Sequence, residues 1–271
     1  MENKDNLLSC IDDSLKLKKY LIQKANNHNC YKIYSSLDKI KSIIDHQSIF
    51  LSNGRHWNDV RDRENFNSMH SKVQNFGCCM SFSRSENMAM WMLYGGIDKK
   101  GAMININPSV ITTTIHNVQS IDLGYFDGEF QSLQTIKRED FEIMLIDILY
   151  YSQSEIGYFL KRSDEQCETN NLNALDSLNY SKKLLPWSYE NECRVIVSIS
   201  KDKILNSKID TVKLSLNKQK NISVDQIVLA PNFGGERKYA QSTLGADLDW
   251  DLCKNCKSIC EDCKVNNKNV E

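Results

Sequence analysis

Apolar and polar positions alternate along the chain with periods that change several times. Leu7, Leu8, Ile11, Leu15, Leu17, Tyr20, Leu21 and Ile22 recur at helical spacing and predict a helix over 6–26. Asn-Asn-His-Asn then breaks the pattern. CYKIYSS (Cys30 to Ser36) predicts a strand, Leu37 to His46 a helix, and Ser48 to Ser52 a second strand. The stretch NGRHWNDVRDRENFNSMHSK reads as a polar loop. GCCMSFS, from Gly77, is strand-like and ends in hydroxyls. SENMAMWMLYGG predicts a helix with Ser85 as its cap and Gly95-Gly96 as its stop. Gly101 to Asn107 alternates like a strand. Residues 137–161 predict a longer helix through Phe141, Met144, Leu145, Ile148, Leu149 and Tyr150. Residues 162–181 are polar and read as loop with a short helix. TVKLSL and Asp225 to Asn232 predict strands, the last running into a Pro-Asn-Phe-Gly-Gly turn. No repeat is visible. The mixture predicts an α+β fold: a helical N-terminal segment over 1–29, a main domain over 30–250 and a tail over 251–271.

PWSYENECRVIV, Pro186 to Val197, stands apart from this pattern. The β-branched run Val195-Ile196-Val197 predicts a strand. Strand alternation would place Glu190, Glu192 and Arg194 on one face, and Tyr189, Asn191 and Cys193 on the other. Two readings compete: an exposed strand face with a salt bridge, or a site built on paired carboxylates.

Composition narrows the class more than it names the function. The chain has 271 residues, 41% hydrophobic and 25% charged, as in an ordinary soluble globular protein. With 34 basic and 35 acidic residues the net charge is -1, so no global field draws the chain to nucleic acid. No apolar run is long enough to span a bilayer, and MENKDNLLSC is unlike a signal peptide; a cytoplasmic protein without membrane contact is expected.

There are ten cysteines, which in a cytosolic chain read as thiols or metal ligands. Cys253, Cys256, Cys260 and Cys263 form two C-x-x-C pairs, a set that satisfies tetrahedral zinc. Only Lys257, Ser258 and Ile259 separate the pairs, so a zinc knuckle, an iron–sulfur cluster and a thiol-rich tail all remain open.

Other residues suggest a cleft. Lys32, Tyr34, Ser35 and Ser36 end the first strand, where they either line a ligand site or close the strand and cap the next helix. Ser81 and Ser83 flank Phe82 and face one way. Trp91 and Tyr94 share a helix face, suited either to a core or to stacking on a flat ring. His28, His46, His56, His70 and His116 have no metal or nucleophile spacing and read as surface or loop residues. No Walker or dinucleotide glycine motif and no Ser-His-Asp order is present.

The order of YKIYSS, IFLSNGRHWND, CMSFSRSENMAMWMLYGG and LLPWSYENECRVIV resembles a large, poorly characterised bacterial domain family. Its members carry a K-Y-R-S-like first strand, an F-N-D-P loop, a C-F-S…M-W-x-x-Y block and a W-x-Y-E-x-E-x-R strand. The resemblance covers roughly 30–235. Trp57-Asn58-Asp59-Val60 stands in place of F-N-D-P, and Ser35 stands where the family often has Arg.

The same order is similar to the ADP-ribosyltransferase superfamily, especially its DarT-like toxin branch. That likeness implies a split mixed β-sheet core with flanking helices, and NAD as co-substrate. Glu192 would be the catalytic carboxylate and Glu190 its partner. Lys32 or Tyr34 would replace the usual first-strand His or Arg. Trp91 and Tyr94 would stack on nicotinamide, and Ser81 or Ser83 would bond to its amide or to the ribose. Arg194 would pair with a glutamate or meet the NAD phosphates. The likeness further implies a toxin or defence effector with a protein or nucleic-acid acceptor and an antitoxin protein as partner. Two other readings stand beside it: a non-catalytic module that binds a nucleotide, RNA or a protein, and a metal-stabilised nucleic-acid binder using the cysteine tail with Lys254 and Lys257.

Overall fold

The computed structural model describes residues 6–67, 71–83, 87–94, 101–155, 157–162, 165–170, 173–216 and 227–230. Two helices, α1 (Leu7–Cys10) and α2 (Ser14–Ala25), form where one was expected. Asp13 separates them, its Oδ1 accepting the backbone N–H groups of Leu15 and Lys16. β1 (Tyr31–Ser36), α3 (Leu37–His46) and β2 (Ser48–Ser52) follow as expected. Gln47, with a φ of 45°, ends α3 in the left-handed region.

The next segment departs from the expected loop. It contains α4 (Val60–Phe66), capped by Asp59, whose Oδ1 accepts from Arg61 and Asp62. The buried positions of α4 are Asp62 and Phe66, so its inner face carries no aliphatic repeat. β3 (Val73–Ser81), α5 (Met88–Tyr94), β4 (Gly101–Ile106) and α6 (Pro108–Asn117) come next. The expected cap Ser85 and stop Gly95-Gly96 lie outside the described residues. β5 (Ser120–Asp127) and β6 (Glu129–Lys137) form a hairpin.

The helix expected over 137–161 is replaced by three strands: β7 (Phe141–Asp147), β8 (Leu149–Ser154) and β9 (Gly157–Arg162). Ile143 and Leu145 pack into one core while Met144 and Ile146 pack into another. A short apolar run suits a buried helix and a buried strand equally, and burial on both faces decides for the strand. β10 (Glu165–Thr169) and α7 (Asn173–Asp176) occupy the polar stretch that follows. β11 (Lys182–Leu184), β12 (Glu192–Ser200), β13 (Thr211–Ser215) and β14 (Ile227–Leu229) complete the described strands. The turn expected after β14 lies outside the described residues.

The fold is α+β, with a largely antiparallel main sheet of ten strands. β12 lies between β7 and β3 and pairs with β3 from Glu192↔Ser81 to Ser200↔Val73. The other edge of β3 is shared by two branches. β1 joins it at Ser81, followed by β4 and β14; β2 joins it at Gly77, followed by β13, β5 and β6. A four-stranded sheet in the order β10-β9-β8-β11 packs beside this frame, with β11 parallel to β8. On β12, Cys193, Val195, Val197 and Ile199 join the larger core with β3 residues Phe76, Cys78 and Met80. Ile196 faces the second core with α1 and α2. No helix among the described residues is long and apolar enough to cross a membrane.

Candidate functional site

The backbone before β12 turns more sharply than a strand can. Leu185–Glu190 is a 3₁₀ turn, and Asn191, with φ 45° and ψ 59°, is left-handed. Asparagine tolerates that conformation better than most side chains. Its carbonyl accepts from the Phe82 N–H at 2.9 Å, and the Glu190 carbonyl accepts from Ser81 Oγ at 2.7 Å. The Asn87 amide donates to the Tyr189 carbonyl at 2.6 Å. Glu192 and Arg194 share a strand face as expected. Glu190 does not lie on the strand; the turn, rather than strand alternation, brings it beside Glu192. None of the three is on an exposed face: Glu190 is 2% exposed, Glu192 3% and Arg194 0%.

These residues belong to a chain of alternating charge. Arg194 Nη1 and Nη2 donate to Asp62 Oδ1 and Oδ2 at 3.0 and 2.5 Å. Arg194 Nε donates to Glu192 Oε1 at 2.5 Å. Lys183 Nζ donates to Glu192 Oε2 at 3.0 Å and to Glu190 Oε2 at 2.5 Å. Tyr94 donates to Glu190 Oε1 at 2.6 Å. Trp57 covers the Arg194 guanidinium at 4.6 Å from its ring centre.

Asp62, Glu190 and Glu192 outnumber Lys183 and Arg194 by one charge, so the cluster has room for one proton. Burial and the neighbouring Glu192 charge raise Glu190 to about 7. Burial pushes Glu192 the same way, but Arg194 and Lys183 outweigh it and hold Glu192 ionised, well below the usual carboxylate range. Burial also raises Asp62, against the pull of Arg194. Lys183 stays charged because Glu192 and Glu190 outweigh the penalty of its burial. Two carboxylates side by side therefore have different protonation, the condition for separate acid–base and electrostatic roles.

The cluster forms part of the wall of a cavity of about 690 Å³, placed where β1 and β2 part along β3. The volume falls within the ordinary range for a small-molecule site. Lys32, Tyr34, Ser35 and Ser36, the four residues of the cleft reading, line it together with Tyr94, Glu190 and Glu192. Ser81, Ser83, Trp91 and Arg194 are not among its lining residues.

The physical reasons differ. Ser81 is buried and spends its hydroxyl on the turn. Trp91 packs edge-on against Tyr34 at 4.8 Å in a small core. Arg194 takes the first of its two expected roles, pairing with a glutamate, and is enclosed beneath Glu192, out of reach of a phosphate. Cys253, Cys256, Cys260 and Cys263 lie outside the described residues.

Sequence reasoning missed Asp62 and Lys183. Asp62 was hidden in a stretch read as loop. Lys183 follows Lys182, and a lysine pair normally marks a solvated surface. Only the acid spacing of Pro186 to Val197 hinted that a buried cation must be near. His28 also differs from a plain loop residue: its Nε2 lies 2.7 Å from buried Asp147, and its ring stacks on Phe82 at 3.7 Å. His56 lines the cavity, and His70 lies outside the described residues.

No protein-family model, no curated protein and no solved structure matches the chain.

Proposed function

We propose that the protein is an NAD-consuming transferase of the ADP-ribosyltransferase type, moving ADP-ribose to a macromolecular acceptor, protein or nucleic acid. The observation that carries this reading is the pairing at the cavity wall of an ionised Glu192 with a Glu190 poised near neutrality. The place of that cavity, where β1 and β2 part along β3, supports the reading.

Cleavage of the nicotinamide–ribose bond leaves the electron pair on the departing nicotinamide and positive charge on the ribose. Glu192, fixed by Arg194 and Lys183, stabilises that charge. Glu190 accepts the proton of the incoming acceptor hydroxyl or amine as the new bond to the ribose forms. Tyr94 and Lys183 orient the Glu190 carboxylate. Lys32 or Tyr34 takes the place of the first-strand His or Arg of that superfamily. On this reading the protein acts as a toxin or defence effector, with an antitoxin protein as its partner.

The test is nicotinamide release from NAD by wild type and Glu192→Gln, with bacterial RNA and protein extracts as acceptors. Release that depends on Glu192 supports the transferase. A folded wild type that releases none with either extract overturns it.

One observation favours a second reading. Both oxygens of Glu192 are already engaged by cations, Oε1 by Arg194 and Oε2 by Lys183. A carboxylate so neutralised also suits a non-catalytic module that binds a nucleotide, RNA or a protein. Saturable NAD binding without nicotinamide release would select that reading.

A further inference from the structure

We infer that the end of the cavity remote from Glu190 and Glu192 is a stacking subsite for a nucleobase, with Phe126 as its platform. The inference deepens the nucleotide reading of Glu190 and Glu192 and rests on it. The cavity does not stop at the acidic cluster. Its lining runs from Gly77 and Cys79 on β3 to Phe50 and Ser52 on β2, Thr211 on β13 and Phe126 on β5. Three strand spacings separate β3 from β5, about 14 Å. A mononucleotide seated at Glu192 would leave that distance empty, whereas a dinucleotide or a nucleotide with a flanking base would span it.

Phe126 is 44% exposed and belongs to none of the buried clusters, so the core does not require it. It is nevertheless braced. Phe50 meets it at 4.9 Å and 66°, and Phe130 at 5.8 Å and 67°. Both contacts are steep, and among the described residues no ring lies parallel to Phe126. Phe130 is its cross-strand partner in the hairpin, and the next positions, Gln131 and Ser132, are polar and exposed. A rigid, exposed ring inside a concave surface suits parallel stacking on a flat heterocycle. Asp59 and Asp210 line the same cavity as Lys32 and Lys39, and the two lysines supply the positive charge that phosphates require. Rings together with lysines favour a nucleotide over an aromatic peptide side chain. The base could be the adenine of the co-substrate or a base of an acceptor strand; both present the same flat purine or pyrimidine face.

The experiment measures affinity calorimetrically for AMP, nicotinamide mononucleotide and single-stranded oligoadenylate, on wild type, Phe126→Ala and Phe126→Trp. Phe126 is exposed, so both variants are expected to fold. Phe126→Ala should weaken AMP about tenfold, the effect of one base stacked on one ring, and leave nicotinamide mononucleotide unchanged. Phe126→Trp should retain AMP binding.

A matching rise in the KM for NAD assigns the platform to the co-substrate adenine. Oligoadenylate weakened with no change in that KM assigns it to the acceptor. AMP and oligoadenylate affinities untouched by Phe126→Ala would overturn the subsite, as would an equal loss for all three probes or a wild type that binds neither AMP nor oligoadenylate. A wild type that binds AMP through Phe126 yet releases no nicotinamide would overturn the transferase reading and leave the subsite standing.

Discussion

Asp62 and Arg194 stand 132 residues apart in the chain and meet through two hydrogen bonds, Nη1 to Oδ1 at 3.0 Å and Nη2 to Oδ2 at 2.5 Å. The pair joins α4 to the centre of the main sheet and sets the Arg194 fork so that Nε addresses Glu192. It is a positioning contact, since neither the guanidinium nor its carboxylate partner needs to touch a ligand for Glu192 to be held.

Removing one partner of a buried pair leaves the other charge uncompensated. Asp62→Ala should therefore destabilise the protein by about 3–5 kcal/mol, read from chemical denaturation. Exchanging an exposed acid such as Glu129 for Ala should change stability by less than about 0.5 kcal/mol. Equal effects from the two substitutions would show that the ion pair is not a fold determinant.

Glu190 ties stability and activity to pH. Its folded state holds the proton up to about 7, above the ordinary glutamate range. Between that range and 7 the native state binds more protons than the unfolded state. Stability from this group is therefore complete at acidic pH and is lost as pH rises through 7. Glu190→Gln should flatten that fall in a denaturation series. Activity should move in the opposite direction: if Glu190 accepts the acceptor's proton, nicotinamide release in the presence of acceptor rises with pH through about 7. A profile flat from acidic to alkaline pH would exclude that role.

Lys183 holds two carboxylates that would otherwise repel each other. Lys183→Met should raise the apparent value of Glu190 above 7, because burial and the Glu192 charge would act without the opposing ammonium. Tyr94→Phe removes one hydrogen bond to the ionised form, and its shift should have the same sign and a smaller size. Carbon NMR titration of the glutamate carboxyls would show both. A downward shift in Lys183→Met would contradict the charge order of the cluster.

The hairpin that carries Phe126 depends on Gly124. A Cβ there would stand 1.9 Å from the Gln131 carbonyl oxygen, at the point where the β5–β6 register shifts. Backbone cannot give way as a side-chain tip can. Gly124→Ala should cost about 3 kcal/mol and loosen β5 and β6 in amide exchange, while the β3–β12 ladder stays protected. Unchanged hairpin protection would show that the close approach is not required.

Several elements could be read from spacing alone. YKIYSS, LDKIKSIIDH and SIFLS have clear strand and helix periods, and the structure places β1, α3 and β2 on those residues. The run around Met144 to Ile148 could not, because an unbroken apolar stretch carries no period and its two-sided burial depends on strands from elsewhere in the chain. The helix α4 was hidden for the opposite reason: its inner face is made of Asp62 and Phe66, and an aspartate signals burial only once its arginine is known.

By itself the sequence determined the α+β mixture, the strand through Val195-Ile196-Val197 and the pairing of Glu192 with Arg194 on one face, because each follows from spacing within a few residues. Only the tertiary structure decided that Glu190 arrives through a left-handed turn, that Lys183 and Asp62 complete the charge chain, and that the whole cluster is buried beside a cavity. Those are contacts between distant segments. Their energies come from removing charges from water and matching them with opposite charges, which no local period encodes.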